Sequence, residues 1–366
     1  MLTRRRLLAA VPIALAGAAA LPACSASSVS YPDAVKETWR GFDRSKTERR
    51  MVLRELVRYA TLAPSSHNTQ CWKFELHHDR IALRPDLSRR CRAVDPDDHH
   101  LFVSLGCATE NMVQAAAASG LHGDVRFEVS GAGSVQVAFE PMRPSASALF
   151  DAIPLRQSTR AAYDGVRVPP SSLAMLEKAG RGRGVHVLLQ TARPRIEQIV
   201  EFVLDANTIQ MNDPAFMDEL RSWIRFSDAQ AVAARDGLFS RASGSPSIPA
   251  WLGNAAFKLV FTPKGENDKY ARFIRSSAGI AVFISDASDK AHWVEAGRCY
   301  ERFALQATAL GIRTAMINQP VEVSRIRGEF AAALGVTAGR TDLVVRFGYG
   351  PVMPRSLRRP VEAVIA

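Results

Sequence analysis

The chain has 366 residues and a mass of 40.0 kDa, enough for about two or three domain-sized units. Its 47% hydrophobic and 23% charged residues exclude a disordered or fibrous protein, and at this length a core can form without a disulfide framework. The net charge of +11 would suit nucleic acid. Removing residues 1–23 takes away Arg4, Arg5 and Arg6, however, and leaves +8 with no long basic run. Scattered surface charge, or a basic pocket for a phosphate-bearing ligand, are the readings that remain.

The first element is an address. Arg4-Arg5-Arg6 precedes an apolar stretch from Leu7 to Leu21, interrupted by Pro12. Its length of about 15 residues falls short of the roughly 20 that span a bilayer. A basic start, a short apolar region and small residues beyond it predict an export signal. Thr3-Arg4-Arg5 with Leu7-Leu8 behind it resembles a twin-arginine signal, with an ordinary Sec signal as the alternative. Leu21-Pro22-Ala23-Cys24 resembles a lipobox, although Pro22 is uncommon there, and Ser25 to Ser30 reads as a tether. The expected location is the periplasm, free or anchored through a lipid on Cys24. Residues 1–30 are set apart from the fold. The other cysteines are Cys71, Cys91, Cys107 and Cys299. Their even number allows two disulfides in an exported protein. No close pair offers a zinc site, and Cys107 and Cys299 are expected as buried thiols.

An internal repeat organises the rest. Residues 106–121 read GCATENMVQAAAASGL and residues 297–312 read GRCYERFALQATALGI. At an offset of 191, Gly106 matches Gly297, Glu110 matches Glu301 and Gly120 matches Gly311. Both segments predict a helix closed by a left-handed glycine. Val125–Val129 and Val135–Phe139 predict a hairpin after the first helix. Thr314–Ile317 and Asp342–Phe347 predict strands after the second. Gly279–Ser285 predicts a strand before the second helix, and Phe74–Leu83 one before the first, with strand character around His77–Asp79. The offset is too long for a solenoid. It predicts two related α+β domains in tandem, a pseudo-dimer in one monomeric chain. Their boundary is expected in Met142–Ala152, giving halves of 31–150 and 151–366.

Between Ala60 and Trp72 stands Pro64-Ser65-Ser66-His67-Asn68-Thr69-Gln70-Cys71-Trp72. The second half opens with Arg156-Gln157-Ser158-Thr159-Arg160. Phe347-Gly348-Tyr349-Gly350 and the basic run Arg355 to Pro360 come near the end. Together these resemble the nitroreductase superfamily. The first segment is similar to its Pro-Ser-x-x-Asn-x-Gln-Pro-Trp loop, with Cys71 in place of Pro. The second is similar to its R-x-S-x-R flavin-phosphate motif. The resemblance covers most of residues 45–362, is poor from about 195 to 270, and is nearest the two-domain Acg-like branch. It implies mixed or antiparallel sheets flanked by helices, and FMN as cofactor. Arg156, Ser158 and Arg160 would bind the phosphate, with Arg358 or Arg359 adding a cation. Pro64, Ser65, Ser66, Asn68 and Gln70 would meet the ribityl chain and ring edge. Ile317, Asn318 and Gln319 would lie near the pyrimidine end of the ring. The residue chemistry agrees, because Arg grips phosphate with parallel donors and alternation in an extended segment aims residues 156, 158 and 160 to one side. The loop occurs only in the first half and R-x-S-x-R only in the second, which predicts one composite FMN site per chain.

From Glu201 to Tyr270 the pattern is helical, then irregular. Phe216, Leu220, Trp223 and Ile224 predict a packed face. A lid over the flavin, about 205–270, and a plain packing insertion are both open readings. Asp95-Pro96-Asp97-Asp98-His99-His100 reads as a loop and helix cap before Val103, so no metal is expected. His77 and His78 in a strand would split to opposite faces. His67 is a candidate for a role near the ring. No G-x-S-x-G or P-loop is present. Gly131-Ala132-Gly133 is no dinucleotide fingerprint, so NAD(P)H would stack on the flavin. The expected function is an exported FMN oxidoreductase, carrying electrons from NAD(P)H or another donor to a nitro compound, quinone or similar electrophile. No acid or base side chain is assigned. The alternative is a flavin-sequestering protein with a closed lid and little turnover.

Overall fold

The computed structural model describes residues 29–366. The export signal and Cys24 lie outside the described residues. Among those described, no helix is long and apolar enough to cross a membrane.

The chain begins with α1 (Tyr31–Thr38) and α2 (Arg49–Thr61), then strands β1 (Trp72–Leu76) and β2 (Arg80–Pro85). The long helix α3 (His99–Ala118) and the hairpin β3 (Leu121–Glu128) and β4 (Ser134–Pro141) follow. These strands form an antiparallel sheet of order β1-β2-β4-β3. His77–Asp79, expected as strand, form the turn between β1 and β2, where His77 N donates to Arg80 O at 2.9 Å. Their polar side chains suit a solvated turn better than a pleated face.

After the loop 142–147, α4 (Ala148–Ala152) is capped by Ser147, whose Oγ accepts from Phe150 N at 3.2 Å. The end of the expected linker is therefore helical. Phe150 stacks on Tyr59 of α2, centroid to centroid 5.3 Å. Then come α5 (Pro170–Ala179) and β5 (Val185–Gln190). A long excursion follows: α6 (Arg193–Met211), α7 (Pro214–Trp223), β6 (Ile224–Arg225), α8 (Asp228–Ala234), β7 (Leu238–Phe239), α9 (Ala250–Val260) and α10 (Pro263–Arg275). The chain returns through β8 (Gly279–Ser285), α11 (Lys290–Ala309), β9 (Arg313–Met316), α12 (Gln319–Glu322), α13 (Ser324–Ala333) and β10 (Arg340–Gly348).

The second sheet is antiparallel with order β5-β8-β10-β9. Counted along its own half, each sheet has the order first, second, fourth, third, with the long helix between second and third. β8 and β10 are buried along their whole length. One face meets α11. The other meets α6 and α10 through Ile196, Val200, Val203 and Ile274 packed on Ile280, Val282 and Val344. The excursion between β5 and β8 is thus longer than expected, 193–275. Its ends are a core layer, because their apolar stripes cover the sheet, and only its middle lies over the site. β3 alternates half-buried and exposed residues after its buried first residue, the pattern of a sheet with one solvated face.

α3 and α11 pack against each other at the centre. One continuous core runs through both halves, joining Leu56, Phe74, Phe102 and Leu105 to Phe283, Tyr300, Phe303 and Leu343. The C-terminal tail crosses back to β1: Phe74 N donates to Val364 O and Ala366 N to Phe74 O, both at 2.9 Å. Cys71, Cys91, Cys107 and Cys299 are all buried free thiols, so the two disulfides that their number allowed are not formed.

Candidate functional site

A cavity of about 270 Å³ opens between the halves. A smaller one of about 60 Å³ shares Pro64, Ser65, Ser158, Arg160 and Leu238 with it as walls.

The first half contributes the segment after α2. His67, Asn68 and Gln70 all have positive φ, at 47°, 54° and 54°. Side chains with a Cβ rarely adopt this conformation, and such strain gathers at functional sites. The turn is held locally: Ser65 Oγ accepts from Gln70 N at 2.9 Å, and Ser65 O from Asn68 N at 2.9 Å. Pro64, Ser65, Ser66 and His67 line the larger cavity, and Asn68 lines the smaller.

The second half contributes Arg156, Ser158 and Arg160. Thr159 N donates to Thr314 O at 2.9 Å, which keeps this segment extended beside β9. Arg156 is 2% exposed. Its Nε lies 3.1 Å from Glu301 Oε1 and its Nη2 donates to Leu62 O at 3.0 Å. Its Nη1 has no partner. A buried guanidinium nitrogen left without an acceptor is costly and marks a place for an absent ligand. Arg160 lines both cavities and has no hydrogen-bond or ion-pair partner among the described residues.

The C-terminal tail adds more charge. Arg355 Nη1 donates to Arg156 O at 3.1 Å, and both Arg355 and Arg358 lie over the Trp39 ring. Burial, then the neighbouring Arg156 charge, lowers Arg355 to about 10 and Arg358 to about 9. Glu301 sits beneath them. Burial pushes its carboxyl up to about 7 against the pull of Arg156. Arg156, Arg160, Arg355 and Arg358 all line the smaller cavity, an electrostatic fit for a phosphate dianion.

The structure separates the expected residues. Arg358 lines the smaller cavity, yet its guanidinium donates to Thr61 O, Leu62 O and Ala63 O at 2.8–3.2 Å, holding the end of α2. Gln70 and Arg359 line neither cavity. Gln70 Oε1 accepts from Arg359 N at 2.8 Å, and Gln70 Nε2 donates to Arg235 O at 2.9 Å. Asn68 Nδ2 donates to Gly237 O at 3.0 Å and Leu357 O at 3.3 Å, and Gly237 N returns a bond to Asn68 O at 3.1 Å. Asn68 and Gln70 therefore latch the excursion onto the loop. Asp236, between Arg89 and Arg225, completes this latch. Arg355, Gln157 and Trp39 line the smaller cavity without having been expected there. The tail's arginine spacing was a signal for Arg355, while Trp39 had none.

The far end of the larger cavity is polar. Ile317, Asn318 and Gln319 line it. Asn318 Oδ1 accepts from Val344 N at 2.9 Å, and Gln319 Oε1 is buried without a partner. Tyr270 also faces the cavity, and burial raises its phenol to about 12. His67 is held near 4 by burial, then by Arg160 and His100. Its imidazole is neutral at pH 7. From the excursion, Phe216, Leu220, Ile224, Leu238 and Phe261 form an apolar wall.

Asp95, His99 and His100 belong to the run read from the sequence as a loop and helix cap. Their ligand atoms in fact lie within 4.8 Å of one another, because the helix start folds Asp95 back beside the two imidazoles. The donors are already used. Asp95 accepts from His100 N at 3.0 Å and Leu101 N at 2.9 Å, capping α3, and His99 Nε2 meets Asp342 Oδ1 at 2.8 Å.

No family profile matches the chain. It is 28% identical over 328 residues to a Mycobacterium tuberculosis H37Rv protein provisionally named NAD(P)H nitroreductase Rv3131, covering 86% of this chain and 91% of that one. It is 22% identical over 329 residues to the similarly named NAD(P)H nitroreductase acg of the same strain, covering 86% and 95%. Among solved structures, the FMN-dependent nitroreductase NfnB of Mycobacterium smegmatis, in complex with NADPH, aligns with a TM-score of 0.37 at 15% identity, over 59% of this chain and 91% of that one. A nitroreductase with bound FMN from Desulfitobacterium hafniense aligns at 0.38 and 11%, over 61% and 98%. The sequence match, running over 86% of its length, relates this chain to the nitroreductase superfamily.

Proposed function

We propose that the chain is an FMN-dependent oxidoreductase of nitroreductase type, with one flavin site per chain between its halves. The observation that carries this reading is the partnerless Nη1 of buried Arg156 at the smaller cavity, whose wall also holds Arg160, without an ion-pair partner among the described residues. The names of the sequence relatives support NAD(P)H as electron donor.

Arg156 and Arg160 would hold the flavin phosphate, with Arg355 adding field from the tail. Ser65, Ser66 and Ser158 offer hydroxyls to the ribityl chain. Asn318 and the free Gln319 Oε1 offer amide groups to the polar edge of the ring. Bound FMN supplies reversible two-electron chemistry. The apolar wall of the excursion excludes water and shapes access for a flat electrophile such as a nitro compound or quinone. Tyr270 keeps its proton at neutral pH and can donate a hydrogen bond into the cavity.

The single site rests on a tandem origin of the halves, 31–150 and 151–366. The shared strand order and the offset of 191 support it. Glu110, the counterpart of Glu301, is met by Arg302 at 2.9 Å and Arg298 at 3.2 Å, both from α11. The loop between α5 and β5 is only residues 180–184, against the long strained loop between α2 and β1. The counterpart position thus lacks the parts of a second site. Export through the N-terminal signal, with a lipid on Cys24, belongs to the same proposal. Intact mass of the membrane-fraction protein tests the lipid.

The test of function is anaerobic NADPH added to the yellow protein. Bleaching of the flavin band, with turnover of a nitro compound and one flavin per chain, is the expected result. A protein that stays colourless after FMN is supplied overturns the proposal. The latch of Asn68, Gln70 and Asp236 favours a second reading, in which flavin is sequestered. A bound flavin that resists both NADPH and dithionite would select it.

A further inference from the structure

Strand β10 carries one side chain out of keeping with its layer. Alternation sends Leu343, Val345 and Phe347 to the core around α11, and Val344 to the core under α6 and α10. Arg346 falls on the Val344 side and is only 1% exposed. Burying a guanidinium is costly unless its charge and its donors are met. No carboxylate meets this one among the described residues. Burial lowers it from the ordinary guanidinium value, and the Arg160 charge lowers it further. Packing alone would be served by an apolar side chain, as at Val344.

The donors of Arg346 go to three carbonyls. Nη2 donates to Thr159 O at 2.9 Å and to Ala161 O at 2.8 Å, and Nη1 donates to Phe273 O at 3.2 Å. Thr159 and Ala161 stand on either side of Arg160. The guanidinium also lies over aromatic rings, 4.1 Å from the Tyr163 centroid and 5.1 Å from that of Phe273. Tyr163 is fixed in turn: its OH donates to Thr159 O at 3.2 Å, and its N donates to Ser276 Oγ at 3.0 Å. The ring fits because Gly348 and Gly350 have no side chain. A Cβ at these positions would stand 2.9 Å and 2.6 Å from it. The run Phe347-Gly348-Tyr349-Gly350 thus leaves room for the ring on which Arg346 lies.

We propose that Arg346 is the positioning residue of the phosphate site, fixing the peptides on both sides of Arg160 so that the Arg160 side chain is aimed at the two cavities. The role rests on the flavin-phosphate reading of that site. The bond from Thr159 N to Thr314 O holds only the peptide before Thr159. The carbonyls of residues 159 and 161 would otherwise be free to turn, and Arg346 takes both. A long side chain on a loose segment spreads over many conformations. Holding its backbone lowers the cost of ordering it around an anion.

The test measures the affinities of FMN and riboflavin through quenching of flavin fluorescence. The two ligands differ by the phosphate, so their ratio separates the phosphate grip from general damage to the site. Arg346→Lys keeps the charge but lacks the planar fork that spans two acceptors. It should lower the FMN-to-riboflavin affinity ratio about tenfold, with riboflavin affinity unchanged. In an Arg160→Ala background the same substitution should change the ratio by less than about twofold. A ratio preserved in Arg346→Lys overturns the proposal, and so does an equal fall for both flavins, which a merely structural role gives. A full further loss in the Arg160→Ala background overturns it too, because Arg346 then meets the phosphate itself. Should Arg346→Lys fail to fold, Gly350→Ala displaces the Tyr163 ring beneath Arg346 and should lower the ratio in the same way; an unchanged ratio there counts against the proposal equally. A wild type that binds both flavins alike refutes the phosphate reading together with this one. A preference for FMN that is lost in Arg160→Ala but kept in Arg346→Lys overturns the positioning role alone.

Discussion

Gly106 and Gly297 make reciprocal contacts across the α3–α11 crossing. A Cβ on Gly106 would stand 2.0 Å from Val294 O, and one on Gly297 2.0 Å from Val103 O. Each glycine thus meets the carbonyl three residues before the other. The atoms in the way are backbone and cannot turn aside. Gly106→Ala and Gly297→Ala should each cost about 3 kcal/mol, read as a lower urea midpoint at unchanged slope. A loss below about 1 kcal/mol in either would mean that the crossing can open freely.

Arg160 and Arg358 both line the smaller cavity but should respond differently. Arg160 has no hydrogen-bond or ion-pair partner among the described residues, so Arg160→Ala should leave thermal stability unchanged. Its FMN dissociation constant should rise about 10–100-fold, the loss of one charge-assisted contact. Arg358→Ala strips donors from three carbonyls at the end of α2 and should cost about 2–3 kcal/mol of stability. Titration of FMN fluorescence and thermal melts separate the two. Equal effects of both variants on stability would refute the division of roles.

Glu301 predicts a pH dependence. Burial sets its carboxyl near 7 without ligand. A phosphate beside Arg156 adds negative charge and raises it further, so binding takes up a proton. Affinity should therefore fall as pH rises through about 7, once the phosphate is fully ionised. Relative to Glu301→Gln, wild-type affinity should drop about tenfold by pH 9. Parallel profiles for the two proteins would show that no proton is coupled to binding.

Asp236 lies between Arg89 and Arg225, and the turn that it holds is bonded to Asn68 and Gln70. Asp236→Asn removes the charge from both pairs and loosens the excursion. Reduction of bound flavin by dithionite should become about tenfold faster, read by stopped-flow absorbance. An unchanged rate would mean that the latch does not control access.

Several features were legible because they are local. R-x-S-x-R keeps its three residues within one extended segment, and both of its arginines reach the site. The strained loop was legible as a run of turn-prone polar residues after Pro64. Other features depend on distant contacts. Gln70 and Arg359 look like ligand residues, yet they satisfy each other across 289 positions. Arg358 turned to the end of α2 because buried carbonyls needed donors. Arg355 faces the site only because the tail folds back over Trp39. The excursion exceeded its expected bounds because the apolar stripes of α6 and α10 match an open sheet face, and local periodicity does not name its partner.

Sequence by itself determined the two long helices with their close-packing glycines, the paired strand patterns, the polar loop after Pro64 and the arginines of the second half. These follow from spacing and backbone freedom along short stretches of chain. Tertiary structure decided which arginine keeps a free donor, which amides become a latch, and that Glu301 lies buried beneath the cations. Those outcomes turn on which polar groups find partners once water is excluded, and the partners come from the other half of the chain.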